Sequence, residues 1–94
     1  MKQILSAALL LVLMWMPVLA QKHVSDDALI DQVRVKLADD ADVGGMKIDV
    51  EAHQGEVILK GKVRTEKQRV KAEKIAKKVK GVTGVTNQLV VSPD

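Results

Sequence analysis

The chain of 94 residues contains no cysteine, phenylalanine or tyrosine, a single tryptophan and two prolines. Without cysteine there is no disulfide framework, no thiol nucleophile, no thiolate metal site and no thiol to carry a lipid. The one aromatic residue, Trp15, lies in an apolar run at the amino terminus. The rest of the chain therefore lacks the stacking platforms of single-stranded nucleic acid binding, a catalytic tyrosine and an aromatic cage. Neither Gly-x-x-x-x-Gly-Lys nor Gly-x-Gly-x-x-Gly occurs, which removes the common phosphate-loop and dinucleotide signatures.

The apolar run has the anatomy of an export signal. Met1-Lys2-Gln3 is a short basic start, Ile4 to Met16 is apolar except for Ser6, Pro17 closes the run, and Val18-Leu19-Ala20 supplies small residues before a cut. This pattern predicts a cleaved signal peptide over residues 1–20. A membrane anchor would need about 20 consecutive apolar residues. Residues 21–94 are then expected to form one extracytoplasmic domain with its core at about 26–91. Leu, Ile and Val make up 21 of the 74 residues from Gln21 to Asp94, above the level of a disordered chain.

Hydrophobic periodicity organises that domain. Ser25 is a candidate N-cap, with Asp26 and Asp27 suited to a helix amino terminus. Leu29, Ile30, Val33 and Leu37 then form one helical stripe that leaves Val35 outside. The acidic stretch Asp39 to Gly45 ends this helix as the longest loop. Ile48, Val50 and Ala52 alternate as a strand, Gln54-Gly55 forms a turn, and Val57, Leu59, Gly61 and Val63 alternate as a second strand with Ile58 on its opposite face. Thr65 and Gln68 have capping-box spacing. Ala72, Ile75, Ala76 and Val79 make the stripe of a second helix, and Val85, Asn87, Leu89 and Val91 make a third strand. Gly61 is expected to let a helix approach the sheet, and Gly81 to end the second helix in a left-handed conformation. The predicted class is α+β, in the order α-β-β-α-β. It has a three-stranded mixed sheet, the second strand central, with two helices packed on one face. Ile58 and Val90 then belong to the uncovered face.

Gly55-x-Val57-x-Leu59-x-Gly61-x-Val63, followed by Ala72-x-x-Ile75-Ala76-x-x-Val79-x-Gly81-Val82-x-x-Val85-x-Asn87-x-Leu89-x-Val91, resembles the BON domain, named for a bacterial osmotically induced periplasmic protein and nodulation proteins. The resemblance runs from about Asp26 to Val91 and implies the same element order. It also implies a cell-envelope binding module without enzymatic activity or cofactor, associated with phospholipid membranes, envelope integrity and osmotic stress.

Charge is unevenly placed. Residues 21–56 carry four basic and nine acidic side chains, whereas 57–94 carry ten basic and three acidic. On the second helix Lys67, Lys71, Lys74 and Lys78 fall within about 60° of one another, opposite the apolar stripe. Lys77 lies beside them and Arg64 extends the patch. These six residues are the candidate contact with an anionic phospholipid surface; the same run also reads as the solvated face of an amphipathic helix. Four such lysines near an anionic leaflet correspond to a dissociation constant of only ~1 mM, so attachment is expected to be peripheral. The alternative partner is an envelope protein or polypeptide, bound at the sheet edge or open face. The export signal argues against nucleic acid.

No catalytic, cofactor or metal site is predicted. Asp39, Asp40 and Asp42 lack the alternating ligands and terminal Glu of a calcium loop. His23 and His53 have no partner at helical ligand spacing, and no serine or threonine has a base neighbour evident in sequence. Asn87 is expected to bond a loop or strand end.

Overall fold

The computed structural model describes residues 24–93; the expected signal peptide and His23 lie outside them. Ser25 opens helix α1 (Asp26–Asp39), its hydroxyl accepting the Ala28 N–H at 3.2 Å. Leu29, Val33 and Leu37 are buried, Ile30 is half-buried, and Val35 is 57% exposed, as a single stripe requires.

The helix ends in a turn organised by one carboxylate. Asp40 Oδ1 accepts the N–H groups of Asp42 at 2.8 Å and Val43 at 3.3 Å, the side-chain mimicry of a turn that Asp makes well. The turn folds Val43 into the core at 1% exposure. Periodicity gives no hint of this, because a loop residue belongs to no stripe.

Strands β1 (Ile48–His53) and β2 (Glu56–Val63) pair antiparallel from Ile48 opposite Gly61 to His53 opposite Glu56. Gln54 and Gly55 have φ of 52° and 89°, the two positive values of a type I′ turn. Gln-Gly is a weak signal for that turn, and tertiary contact reinforces it: the Asp26 carboxylate accepts the Gln54 N–H at 3.1 Å and the Gly55 N–H at 3.3 Å. The first turn of α1 is thereby tied to the hairpin tip.

Gly61 has a different role from the one its sequence position suggests. Its φ is 128°, and a Cβ there would collide with the Lys47 carbonyl oxygen and lie 3.4 Å from the Ile48 Cα. The close neighbour is the backbone leading into β1, not a helix.

Helix α2 (Glu66–Lys77) begins with both halves of the expected capping box, the Thr65 hydroxyl accepting the Gln68 N–H at 3.1 Å and the Gln68 side chain accepting the Thr65 N–H at 3.2 Å. Ala72 and Ala76 are fully buried, and Val79 follows just beyond the helix. Gly81 has the expected left-handed conformation, with φ of 100°, but the helix stops before it, at Lys77. Lys78 closes it in a right-handed conformation, and N–H groups bonded three residues back at Val79 and Val82, each 3.2 Å, carry the chain past Gly81. Such tightened turns satisfy terminal carbonyls that a glycine cap would otherwise serve.

Strand β3 (Gly84–Val91) pairs parallel with β2, from Glu56 opposite Gly84 to Val63 opposite Val91. The sheet order is β1-β2-β3, a mixed sheet with β2 central. Val50, Ala52, Val57, Leu59, Val63 and Leu89 face the helices and join Leu29, Val33, Leu37, Val43, Ala72, Ala76 and Val79 in one core. Charged and polar side chains dominate the open face, with Ile58 half-buried and Val90 exposed among them.

Candidate functional site

The residues expected to meet an anionic surface all follow β2, on α2 and its flanks. Burial of Ala72 and Ala76 fixes the helix rotation, so positions 67, 71, 74 and 78 point away from the sheet. The structure divides the six candidates into two groups.

Lys71 and Lys77 are held by carboxylates. Lys71 Nζ lies 2.6 Å from Asp42 Oδ2 and 3.3 Å from Asp40 Oδ2, so the acidic loop after α1 folds against the outer edge of α2. Hydrogen bonding to Asp42, and then to Asp40, raises the Lys71 pKa above its ordinary value. The Asp40 carboxyl is lowered, chiefly by the Asp42 N–H it accepts and less by Lys71; partial desolvation opposes both. Lys77 pairs with Glu73 at 2.9 Å, one helical turn apart. Glu73 is lowered by Lys77 first and then by Asn87. Neighbouring Arg69 is similarly engaged with Glu66.

Arg64, Lys67, Lys74 and Lys78 form the second group. Among the described residues none of these four has a carboxylate within ion-pair distance. Arg64 is placed by its backbone, whose N–H donates to Gln68 Oε1 at 2.7 Å. Val70, 39% exposed, lies between Lys67 and Lys74 in a shallow groove of about 380 Å³. The result is a row of unneutralised cations with one apolar residue in its middle.

Polar tethers fix this row relative to the sheet. Asn87 on β3 donates to the Arg69 carbonyl at 2.9 Å and to Glu73 at 3.2 Å while accepting the Leu89 N–H at 3.1 Å. It binds the backbone of α2 as well as its own strand. Gln68, beyond its capping role, donates to the Asp42 carbonyl at 2.8 Å. Sequence spacing does not reveal Asp40, Asp42 and Gln68 as partners in the patch, since Asp42 and Lys71 are 29 residues apart. The only sequence signal is the acidic charge of the loop.

The remaining candidates have surface roles. His53 is exposed, 3.8 Å from Glu51, and Glu51 pairs more closely with Lys60 at 3.1 Å. Among the described residues no ionisable side chain is buried and no three metal-ligating side chains cluster. The pKa displacements seen here arise from surface hydrogen bonds and ion pairs. No helix among these residues is long and apolar enough to cross a membrane.

The sequence matches the family model of the BON domain over residues 25–93, more than two thirds of the chain. No curated protein matches it. The BON family is one of non-catalytic binding domains, and its members occur in periplasmic proteins. The helix–strand–strand–helix–strand order, the mixed sheet and that match agree, and the chain belongs to the BON domain family.

Proposed function

We propose that the protein is a periplasmic, non-enzymatic module that associates weakly with anionic phospholipid surfaces through the outer face of α2. The observation that carries this reading is the row of Arg64, Lys67, Lys74 and Lys78, which have no carboxylate partner among the described residues while Lys71 and Lys77 do. A solvated helix face gains from neutralising its charges in pairs; a face meant for phosphates gains from leaving them free. At about 1 kcal/mol per basic residue near an anionic leaflet, four residues give ~4 kcal/mol, a dissociation constant of ~1 mM. One copy therefore samples the surface, and firm attachment requires several copies on one scaffold.

Vesicle flotation tests this. The protein is expected to float with phosphatidylglycerol vesicles, to remain behind with phosphatidylcholine vesicles, and to detach as salt is raised. Reversing Lys67, Lys74 and Lys78 to Glu should abolish flotation; unchanged flotation would sink the reading.

Another observation favours a polypeptide partner. β3 is an edge strand of eight residues without a charged side chain, with Val90 and Val91 exposed, whereas the opposite edge, β1, carries Asp49 and Glu51. Charges on an edge discourage strand addition, and an uncharged edge invites it. Val90→Lys should remove capture of an extended peptide by β3 and leave vesicle flotation intact.

A further inference from the structure

A second cationic feature lies at one end of the sheet. Lys47, Lys62 and Arg64 line an open cleft of about 470 Å³, floored by Gly61 and Val63 and bounded by Ser92. The three cations come from different places: the segment entering β1, the end of β2, and the link from β2 to α2.

We infer that this cleft binds a phosphate-class oxyanion, a phosphate monoester or diester group. It goes beyond the α2 surface, with which it shares only Arg64, and it does not depend on the membrane reading. Four observations support it.

The first is charge. No acidic residue lines the cleft among the described residues, and none of its three cations has a carboxylate within ion-pair distance there. Lys60, two residues before Lys62 on the same strand, does pair with Glu51 at 3.1 Å. Like charges gathered without a counter-charge repel, and a bound anion removes that cost. The second is donor chemistry. A guanidinium offers a planar fork to two phosphate oxygens, two ammonium groups add compact charge, and the serine supplies a hydroxyl.

The third is rigidity. The Arg64 N–H is held by Gln68 Oε1 at 2.7 Å, and the Val63 carbonyl accepts the Ser92 N–H at 2.7 Å. Two sides of the cleft are thus fixed to the capping box and to the end of β2. The fourth is the backbone at Gly61, whose φ of 128° accommodates the close Lys47 carbonyl and brings the Lys47 segment beside Lys62. Alanine at that position would disturb the cleft as well as the strand pair.

Amide NMR on the full chain, expressed from Met1, tests the site with inorganic phosphate titrated against chloride at constant ionic strength. Saturable shifts at Met46, Lys47, Lys62, Val63 and Ser92 are expected. Lys62→Gln and Lys47→Gln, both at exposed positions that leave the core untouched, should each weaken the titration by about tenfold, the usual scale of one charge-assisted hydrogen bond. Lys67→Glu/Lys74→Glu/Lys78→Glu should retain saturable binding at the cleft. Identical shifts with chloride, shifts confined to α2, or unchanged affinity in both cleft variants would overturn the proposal.

Vesicles of phosphatidylglycerol separate the sources of the ligand. Flotation competed by inorganic phosphate and weakened in Lys47→Gln/Lys62→Gln identifies a lipid headgroup. Saturable phosphate binding with flotation indifferent to those substitutions identifies a free phosphate compound. Both support the cleft, and either can occur whether or not the α2 face binds membranes.

Discussion

The two helices cover the same face of one sheet by different means. α1 buries Leu29, Val33 and Leu37, whereas α2 buries only Ala72 and Ala76 within its bounds. Large side chains hold α1 by removing apolar area from water. Alanines offer little area but permit close approach, close enough for Asn87 on β3 to bond the Arg69 carbonyl. α2 is then secured by polar contacts at its margins: the capping box, Asn87, Gln68 to Asp42, and Lys71 to the acidic loop. A helix held by its edges keeps its outer face available. The acidic first half of the chain is not merely a counterweight to the basic second half; its loop neutralises one row position and clamps the helix that carries the others.

This contrast is sharpest in the cores. Leu29→Ala should cost about 2–5 kcal/mol by lost burial and a residual cavity, since Leu29 is fully enclosed; urea denaturation measures it, and a loss below about 1 kcal/mol would deny α1 its anchoring role. The corresponding change on α2 runs in the opposite direction. Ala72→Leu should destabilise by about 1–3 kcal/mol through overpacking. Neutral or improved stability would mean that α2 stands away from the sheet. Next in size is Thr65→Ala, expected to cost about 1 kcal/mol by removing one half of the capping box, with the amides of Glu66 to Arg69 losing hydrogen-exchange protection before those of α1. Equal loss in both helices would remove the distinction between a core-held and an edge-held helix.

Local order was legible in the sequence because its causes are local. Ser25 and Thr65 cap where their spacing places them, and alternation at Val50, Val57 and Leu89 identifies the inner face. The strand–helix–strand order gave the parallel pair, and an apolar β2 gave its central position. What spacing could not show were contacts closed by the fold. Val43 enters the core through a turn made by Asp40, Gly61 meets the Lys47 carbonyl instead of a helix, and the helix ends at Lys77, so that the left-handed Gly81 serves the turn that follows instead of the helix cap. The candidate patch was legible as a stripe of lysines, but not as a stripe divided by pairing. Asp40 and Asp42 reach Lys71 across about thirty residues of chain, at a distance no helical or strand period encodes.

The smallest expected effect reads the edge contacts of α2, with the Glu51–Lys60 pair of the sheet contributing beside them. Asp40, Glu66 and Glu73 all have pKa values lowered in the folded protein, through the Asp42 N–H, Arg69 and Lys77 respectively as the leading partners. A carboxyl whose folded pKa lies below its unfolded value contributes stability that is present above the unfolded value and is lost as pH falls through the folded one. Their ordinary values are 3.8 for Asp and 4.5 for Glu, so the melting temperature should be flat above pH 4.5 and decline below it. Lys71, raised in the folded protein, contributes in the opposite sense: its share is present below its ordinary 10.5 and lost as pH rises beyond it. Between these limits the clamp is intact. These groups are exposed or half-buried at the surface, and their pairs are screened by salt, so the acid decline should be shallow and shallower still in high salt. Asp40→Asn keeps an oxygen for the Asp42 N–H but removes the charge facing Lys71. It should flatten part of the decline and leave the turn that buries Val43 in place. Amide hydrogen-exchange protection followed from pH 6 to 3 locates the effect: α2 and the loop at 40–43 should lose protection first, with α1 retaining it until global unfolding. Simultaneous change in both helices would show that the acidic loop supports the whole fold instead of clamping one helix.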